Sequence, residues 1–534
     1  MYDLVIKNGV VLDGTGGEPR RVDVGIAADK ISALGPDLGD QGRQVIDAAG
    51  LLVAPGFIDV HSHCDLLPFM VGQIKYSRVL QGVTTELVGQ CGLGPAPYLE
   101  ENMQNFRQYL KAILGSPEVD WNWRRFSGYL EALSKAKKPH NVAALVSHGA
   151  VRAQVLGLGD VQPTENDIAH MQAIVREAME DGALGISFGL AYLPGVFAPK
   201  EELVALCRVV AEYDGIMMVH IRSHSRQVVE AMQEALDIAQ ASGVRLQISH
   251  MRSYANRRFG ISGGQLLEMI DSAREQGVDV TFDQHPYLAG STLLTQILPP
   301  WAKAGGGQQI VNRLRNRDVL ERLRYDLYNS DCSYPGWDNF VGMVGWENIL
   351  VSSVQKPENK HLQGKTMAEI AEELGVDAVE AAARLLISEN AECCMVMLNL
   401  FSDQDIIELV SHPLSQIGSD GIPTGTPHPR LYGTYPKFLG TYVRDKKVMS
   451  WPEAIKRLTG DPATRLNLRD RGFLKAGLAA DIVIFDPEAI NDKEDYSNPA
   501  QIPEGISYVV VNGRITVQKG KIAAEDAGQV ISCL

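Results

Sequence analysis

The 534-residue sequence lacks the marks of export and of membrane insertion. No basic region followed by an apolar stretch opens the chain, and no window reaches the roughly 18 uninterrupted apolar residues that a membrane-spanning helix needs. The seven cysteines, at 64, 91, 207, 332, 393, 394 and 533, are an odd and sparse set, which predicts reduced thiols rather than a disulfide framework. We therefore expect a cytoplasmic protein.

Positive charge is also scarce, with 50 Lys and Arg against 65 Asp and Glu and a formal net charge of -15. An acidic surface of this kind disfavours binding to nucleic acid or to an anionic membrane. A small molecule is therefore the expected ligand. The 45% hydrophobic and 22% charged residues are close to the globular average and argue against long disorder. A chain of this length predicts a large domain with a smaller companion, and nothing in it indicates the oligomeric state.

Short β-branched runs alternate with amphipathic segments through the middle of the chain, as in β-α-β units around a parallel sheet. The candidate strands are GFIDV before His61, TTELV before Gly89, NVAALVS before His148, GISF near Ser187, IMMV before His220, RLQIS before His250, VDVTF before Asp283 and QIGS before Asp420. Eight such units predict an α/β fold with a (β/α)8 TIM-type barrel, and a doubly wound open sheet is the alternative. Thr164 and Gly243 are expected to cap two of the helices.

Both ends of the chain have the pattern of strands. LVIKNGVVLDG carries a hairpin signal at Asn8-Gly9, and SYVVVNGRITVQKG carries another at Asn512-Gly513. Because chain ends often lie close together, we expect residues 1–54 and 466–534 to form one small β-sandwich domain.

The barrel domain is then expected to occupy residues 55–465. Residues 294–347 within it contain GGGQQ and two Trp-containing Pro/Gly stretches, and they match no barrel helix. We predict an inserted subdomain after strand seven, either a functional lid or a surface embellishment.

A group of potential metal ligands stands at the predicted strand ends. It comprises His61, His63, Cys91, His220, His250 and Asp420. In a barrel these strand ends converge on the face that carries the active site. Thiolate, imidazole and carboxylate are the ligands of zinc, which favours a metal site over the alternatives of a buried packing role for Cys91 and a helix N-cap role for Asp420.

At these residues the chain resembles the N-acyl-D-amino-acid deacylase (D-aminoacylase) branch of the amidohydrolase superfamily, over nearly its whole length. The blocks that carry the resemblance are PGFIDVHSHCD, QGVTTELVGQCG, SHMRS, YLAGSTLL, GSDGIPTGTPHPRLYGTYPKFLG and GLAADIVIFDP. The resemblance implies that Cys91, His220 and His250 hold one tight Zn2+. It also implies that His61 and His63, with Cys91 bridging, form a second position that is weaker or empty. Strand four ends in GISFGLAY, without the lysine that other branches carboxylate, which weakens the hydantoinase and dihydroorotase alternatives.

The same resemblance implies an activity, namely hydrolysis of N-acyl-D-amino acids to a carboxylate and a D-amino acid. Asp420 would take a proton from zinc-activated water and deliver it to the leaving amine. The residues implied to bind the substrate carboxylate are Arg430, Arg252, Tyr287 and Ser291. His285 stands where the family carries a tyrosine, and it either contacts the carboxylate or is a buried structural histidine.

Two other classes of function remain open at this stage. The same chemistry could serve another amidohydrolase reaction, on a cyclic imide, a dipeptide-like amide or an N-carbamoyl compound. A non-catalytic scaffold is the alternative of a different class. For the remaining candidate histidines, His148, His224, His412 and His428, we expect structural or supporting roles.

Overall fold

The computed structural model of the protein describes residues 1–98, 103–254 and 259–532. Its centre is a barrel of eight parallel strands, here numbered in chain order. They are Phe57–Asp59, Val83–Val88, Asn141–Ala144 continued by Val146–Ser147, Gly185–Gly189, Ile216–His220, Arg245–Ile248, Val280–Gln284 and Ser415–Ile417. Consecutive strands pair in parallel, and a parallel bridge between Ser62 and Gly421 joins the eighth strand to the first. The predicted (β/α)8 barrel is confirmed.

Helices connect the barrel strands, and the sequence predicts their ends where capping chemistry is strong. The helices that precede the eighth strand, apart from those of the inserted subdomain, are Gln104–Leu114, Phe126–Lys135, His148–Leu156, Glu165–Glu180, Lys200–Glu212, Val228–Ser242, Gly263–Glu275 and Asp403–Ser411. Those after it are Arg430–Lys437, which runs into a π-helix at Phe438–Asp445, then Trp451–Leu458 and Gly460–Arg465. The Thr164 hydroxyl accepts a hydrogen bond from the Asp167 N–H, and Gly243 ends its helix in the left-handed conformation, as predicted.

The two chain ends form a β-sandwich beside the barrel. One sheet contains Lys30–Gly35, Asp23–Ala27, Tyr2–Lys7 and Gly42–Asp47. The other contains Lys521–Ile522, Arg514–Gln518, Ile506–Val511, Ile482–Phe485, Leu52–Pro55, Val10–Val11 and Arg20–Arg21. Buried side chains from both sheets, such as Ile26, Val53 and Ile484, share one core. The predicted sandwich architecture is thereby confirmed.

The two Asn-Gly signals have different outcomes. Asn512-Gly513 is a hairpin turn, with positive φ at both residues, between antiparallel strands. Asn8-Gly9 is not a hairpin, because the strand before it and the strand after it belong to different sheets. Asn8 again has positive φ, but its amide donates to Asp47, and a side chain on Gly9 would meet Val53. The left-handed turn therefore carries the chain from one sheet to the other.

A substructure with its own core lies between barrel strands seven and eight. Its antiparallel sheet has the order Gly290–Leu293, Cys394–Met397, Ile349–Ser353. Its helices are Pro300–Lys303, Gly307–Leu314, Arg317–Tyr328, Phe340–Val344, Met367–Leu374 and Ala378–Ser388. The hydrophobic core of this insertion extends from Leu294 to Leu400, beyond the expected limit of residue 347. Its second half contains regular strands and helices that resemble barrel units in sequence, so the pattern alone did not set it apart.

None of the helices in the described part of the chain combines the length and the apolar character needed to cross a membrane. The six cysteines in the same part of the chain are free thiols, and Cys533 lies outside the described residues.

Candidate active site

The six candidate ligand residues lie together at the carboxyl end of the barrel. They are His61, His63, Cys91, His220, His250 and Asp420, and all six are buried. Each ends a barrel strand or follows one within a few residues. Closure of the barrel therefore gathers side chains that are widely separated in sequence around one axis.

Three of these residues have a backbone conformation that L-amino acids rarely adopt. φ is 52° at Cys91, 35° at His250 and 50° at Asp420. Such residues cost about 1–3 kcal/mol each and persist where the surrounding structure holds them, often at functional sites. Gly92 continues the Cys91 turn with φ of 68°, and a Cβ there would stand 3.0 Å from the backbone nitrogen of Gly189. The GQCG turn thus needs glycine to bring the thiol inward.

Three imidazoles surround the Cys91 sulfur. Its Sγ lies 3.4 Å from His61 Nε2, 3.6 Å from His250 Nε2 and 3.9 Å from His220 Nδ1. The facing nitrogens of His220 and His250 are 2.9 Å apart. Burial would raise the pKa of the Cys91 thiol, but the charge and hydrogen bond of His61, with a further contribution from His63, lower it. The sulfur is therefore favoured in the thiolate form that binds metal.

The sulfur–nitrogen spacings fit a zinc ion. A tetrahedral zinc with bonds of about 2.3 Å to sulfur and about 2.1 Å to nitrogen holds those two ligand atoms about 3.6 Å apart. The three sulfur–nitrogen distances, from 3.4 to 3.9 Å, lie close to that value. Thiolate with imidazole is also the donor set that zinc prefers.

A second group shares His61 with the first. Asp420 Oδ1 lies 3.2 Å from His63 Nε2 and 3.6 Å from His61 Nε2. The ligand atoms of these three residues lie within 4.8 Å of one another, as do those of His61, Cys91 and His250. His61 therefore belongs to two neighbouring groups of residues that could each hold a metal ion.

Asp283, at the end of barrel strand seven, was not predicted as a site residue. Its Oδ1 accepts from the His250 N–H at 2.9 Å and lies 3.2 Å from His61 Nδ1. Its Oδ2 accepts from Gln247 at 3.0 Å. A carboxylate behind a ligand histidine fixes the orientation of the ring. The sequence signal was present, since an acidic residue stands at a strand end beside the other candidates.

Two arginines border the cluster. Arg430 Nη1 lies 2.9 Å from Asp420 Oδ2 and donates to His285 Nε2 at 3.1 Å, while Nη2 donates to the Ser291 carbonyl at 3.1 Å. Burial opposes ionisation of Asp420, but Arg430, followed by His63, holds the pKa of this carboxyl well below its usual range. Arg252 donates to the carbonyls of Tyr287 and His285. Asp420 is thus an ionised carboxylate between the ligand cluster and an arginine.

The two candidate residues His285 and Tyr287 lie in different surroundings. His285 lines the same cavity as Asp420, and burial, with the charges of Arg252 and Arg430, lowers its pKa well below the usual range, which leaves a neutral ring. Tyr287 does not line this cavity. Its hydroxyl donates to Glu494 Oε1 at 2.7 Å, behind the site. The structure therefore brings His285, and not Tyr287, to the cavity.

The other candidate histidines lie outside the ligand cluster. His148 Nε2 is 2.6 Å from Glu202, and His412 Nε2 is 3.2 Å from Asp271. His428 Nδ1 accepts from the Arg430 N–H at 3.0 Å, so it fixes the start of the helix that carries this arginine. His224 packs flat on Tyr254, with ring centroids 4.7 Å apart.

The ligand cluster opens into a recess. Its walls combine residues from the barrel strand ends with residues from the insertion. They are Ala191, Tyr192, His220, His250, Arg252, Tyr254, His285, Gly290, Ser291, Thr292, Gln296, Asp338, Phe340, Met397, Phe401, Asp420 and Arg430. Two of the candidate ligand histidines, a carboxylate and two guanidinium groups therefore face one recess.

The chain matches the sequence model of the amidohydrolase family over residues 44–322 and 351–517. It belongs to the amidohydrolase family. This amidohydrolase is 31% identical to the D-aminoacylase of Alcaligenes xylosoxydans xylosoxydans, over 99% of this chain and 98% of that protein. It is 32% identical to the N-acyl-D-aspartate deacylase of the same organism, over 99% and 95%.

A solved structure extends the comparison to the fold. The N-acyl-D-glutamate deacylase from Bordetella bronchiseptica, complexed with zinc and a phosphonate mimic of the tetrahedral intermediate, superposes with a TM-score of 0.83. The two proteins are 32% identical, and the alignment covers 99% of each chain. The likeness spans the sandwich, the barrel and the insertion of this amidohydrolase.

Proposed function

We propose that this amidohydrolase is a zinc-dependent N-acyl-D-amino-acid deacylase, which releases a carboxylate and a D-amino acid from a small N-acylated amino acid. The observation that carries the proposal is the recess that His220 and His250 of the ligand cluster line together with Asp420 and the two arginines. Three relatives named for deacylation of N-acyl-D-amino acids, each matched over nearly the whole chain, support the same reaction. The expected cytoplasmic location stays a prediction.

Cys91, His220 and His250 would hold the zinc, and His61 and His63 would complete a second, weaker position with Cys91. When bound there, zinc supplies an activated water and polarises the amide carbonyl. Asp283 holds the His61 ring through its Nδ1 and the backbone of His250 through its N–H. The side chains of the cluster are buried, so bulk water is excluded from around the reacting groups.

Asp420 would carry the proton. Its Oδ1 faces His61 and His63, and its Oδ2 faces Arg430, so the carboxylate stands between the ligand cluster and the recess. From there it can accept a proton from the attacking water and return it to the departing amine. The general base of the first step is the general acid of the second.

Arg430 and Arg252 would bind the α-carboxylate of the substrate, with Ser291 beside them. A guanidinium group presents paired donors that match a carboxylate. His285, as a neutral ring, accepts from Arg430 and holds this guanidinium in place. Tyr287 would act from behind the recess wall, through its contact with Arg252, and not as a direct substrate ligand.

A substrate panel with metal analysis tests the proposal. We expect purified protein to contain about one tightly bound zinc ion per chain and to hydrolyse N-acetyl-D-amino acids far faster than their L-enantiomers or a hydantoin. Preferred turnover of the cyclic or the L-substrates would refute the deacylase assignment. A protein that binds no zinc and hydrolyses none of the substrates would be a scaffold.

Asp420→Ala separates proton transfer from metal binding. We expect the variant to keep its tight zinc while kcat falls about 10²–10⁴-fold, because general acid-base catalysis contributes about that much. Asp271→Ala is the control, since this exposed carboxylate lies on the barrel surface beside His412. Full activity of Asp420→Ala would remove Asp420 from the proton-transfer role.

A further inference from the structure

The recess has two chemically different sides. Arg252, His285 and Arg430 follow barrel strands six, seven and eight, and the two guanidinium groups hold the positive charge of this side. The opposite side is formed by Tyr192 after strand four and by the insertion residue Asp338 beside the loop after strand five. A substrate whose α-carboxylate lies against the arginines extends away from them.

Asp338 is an acidic wall residue with no ion pair within the described chain. Its Oδ1 accepts from the hydroxyls of Ser223 at 2.6 Å and Ser225 at 2.5 Å, and its Oδ2 accepts from the His224 N–H at 2.9 Å. It is 6% exposed and lines the recess. These neutral donors fix the carboxylate but do not neutralise its charge.

Lys303 is a cation on that side, but its ammonium group donates to other residues. Lys303 is fully buried, and its Nζ donates to Gln296 Oε1 at 2.8 Å and to the Ala191 carbonyl at 3.2 Å. It does not line the recess, whereas Gln296 does. Burial, opposed only in part by the charge of Asp338, which raises the pKa of Lys303, lowers this pKa to about 7 and so weakens the positive charge near neutral pH. Gln296 therefore stands between Lys303 and the substrate and presents a neutral amide.

The remaining surface near Asp338 is apolar. Phe340, Met397 and Phe401 come from the insertion, and Tyr254 packs against both phenylalanines, with ring centroids 5.9 and 5.3 Å apart. Phe401 also covers the Arg252 guanidinium at 4.2 Å, which shields this charge from the apolar side. A carboxylate placed here would lose its hydration, gain no free cation and face Asp338.

We propose that Asp338 is a specificity-determining residue that rejects N-acyl-D-amino acids with an acidic side chain. The proposal rests on the deacylase function above and narrows its substrate class to D-amino acids without negative charge in the side chain. The identities of 31%, 32% and 32% to a D-aminoacylase, an N-acyl-D-aspartate deacylase and an N-acyl-D-glutamate deacylase do not distinguish these substrate classes. The negative charge of Asp338 in the recess wall does distinguish them.

The test compares two isosteric substrates, N-acetyl-D-glutamine and N-acetyl-D-glutamate, with zinc-loaded full-length protein. We expect kcat/KM to favour the glutamine substrate about 30-fold or more, as for two like charges about 8 Å apart at an effective dielectric of about 20. Equal or better hydrolysis of the glutamate substrate would overturn the proposal. Turnover of neither substrate nor of N-acetyl-D-methionine would instead count against the deacylase function itself.

Asp338→Asn assigns the preference to this residue. We expect the glutamine-to-glutamate ratio to fall at least about 5-fold, because the repulsion is removed while an amide oxygen can still accept from the serines. Asp338→Ser is the second variant if the first does not fold. Asp326→Asn is the matched control, since Asp326 is a buried acid of the same insertion that binds Trp301 and does not line the recess.

The ratio in the control should stay at the native value. An unchanged ratio in folded, zinc-loaded Asp338→Asn would overturn the role of Asp338. A second outcome would also overturn this role. In that outcome Asp338→Asn changes the preference between the N-succinyl and N-butanoyl derivatives of D-methionine but leaves the preference between the glutamine and glutamate substrates unchanged. Asp338 would then face the acyl group.

Discussion

The two halves of the candidate site depend on the sequence in different ways. The ligand half, with Cys91, His220 and His250, lies at the ends of barrel strands, so its geometry follows from closure of the sheet. The pocket half depends on contacts between distant segments, such as Arg430 with His285 and Tyr287 with Glu494. A change in the first half should abolish metal binding, whereas a change in the second should alter affinity, selectivity or stability and leave the metal bound.

The strongest test of this contrast is Cys91→Ala. The substitution removes the one sulfur that lies within 4 Å of three imidazoles, so we expect loss of the tight zinc and a decrease in kcat of at least about 10³-fold. Zinc content by elemental analysis and kcat on N-acetyl-D-methionine are the measurements. Cys207→Ala is the matched control, because this buried thiol packs against Met217, away from the cluster. Zinc retained at the native level in Cys91→Ala would exclude the thiolate as a ligand.

The same contrast explains how far the sequence could be interpreted. All eight barrel strands were predicted, because β-branched runs and helix caps are local signals. The candidate ligands could be grouped because strand ends of a barrel must converge, and their spacing in the structure is that of one cluster. Their individual roles stay predictions until metal and activity are measured.

What the sequence did not predict depends on contacts between segments. Asn8-Gly9 and Asn512-Gly513 carry the same turn signal, yet only the second joins paired strands, because the pairing partner of a strand is not encoded locally. Tyr287 had the right residue type for a substrate ligand, but its hydroxyl is occupied by Glu494, in a loop more than two hundred residues away. That loop, NDKEDY, has the composition of a solvated surface segment.

Arg430→Lys tests the pocket half at the arginine that the structure ties most closely to Asp420. Lysine retains the charge but cannot reach Asp420, His285 and the Ser291 carbonyl together, as the two terminal nitrogens of Arg430 do. We expect kcat/KM for N-acetyl-D-methionine to fall about 10- to 100-fold with zinc content unchanged. Arg444→Lys is the control, because Arg444 pairs with its exposed neighbour Asp445. A variant that lost zinc would show that the two halves are not separable.

Glu494→Gln should have the smallest effect on catalysis, because Glu494 supports Tyr287 from behind and does not line the recess. Its effect should appear in stability. Burial raises the pKa of Glu494 to about 7, from 4.5 in the unfolded reference, so the native state favours the protonated acid. This contribution, up to about 3 kcal/mol, is complete below the unfolded pKa and is lost as the pH rises through about 7. The native protein should therefore lose more of its melting temperature between about pH 5.5 and about pH 8.5 than Glu494→Gln, whose amide does not titrate. If the melting temperatures of the two proteins changed equally with pH across that interval, Glu494 would not be protonated in the fold. The loop would then contribute to the pocket half through shape alone.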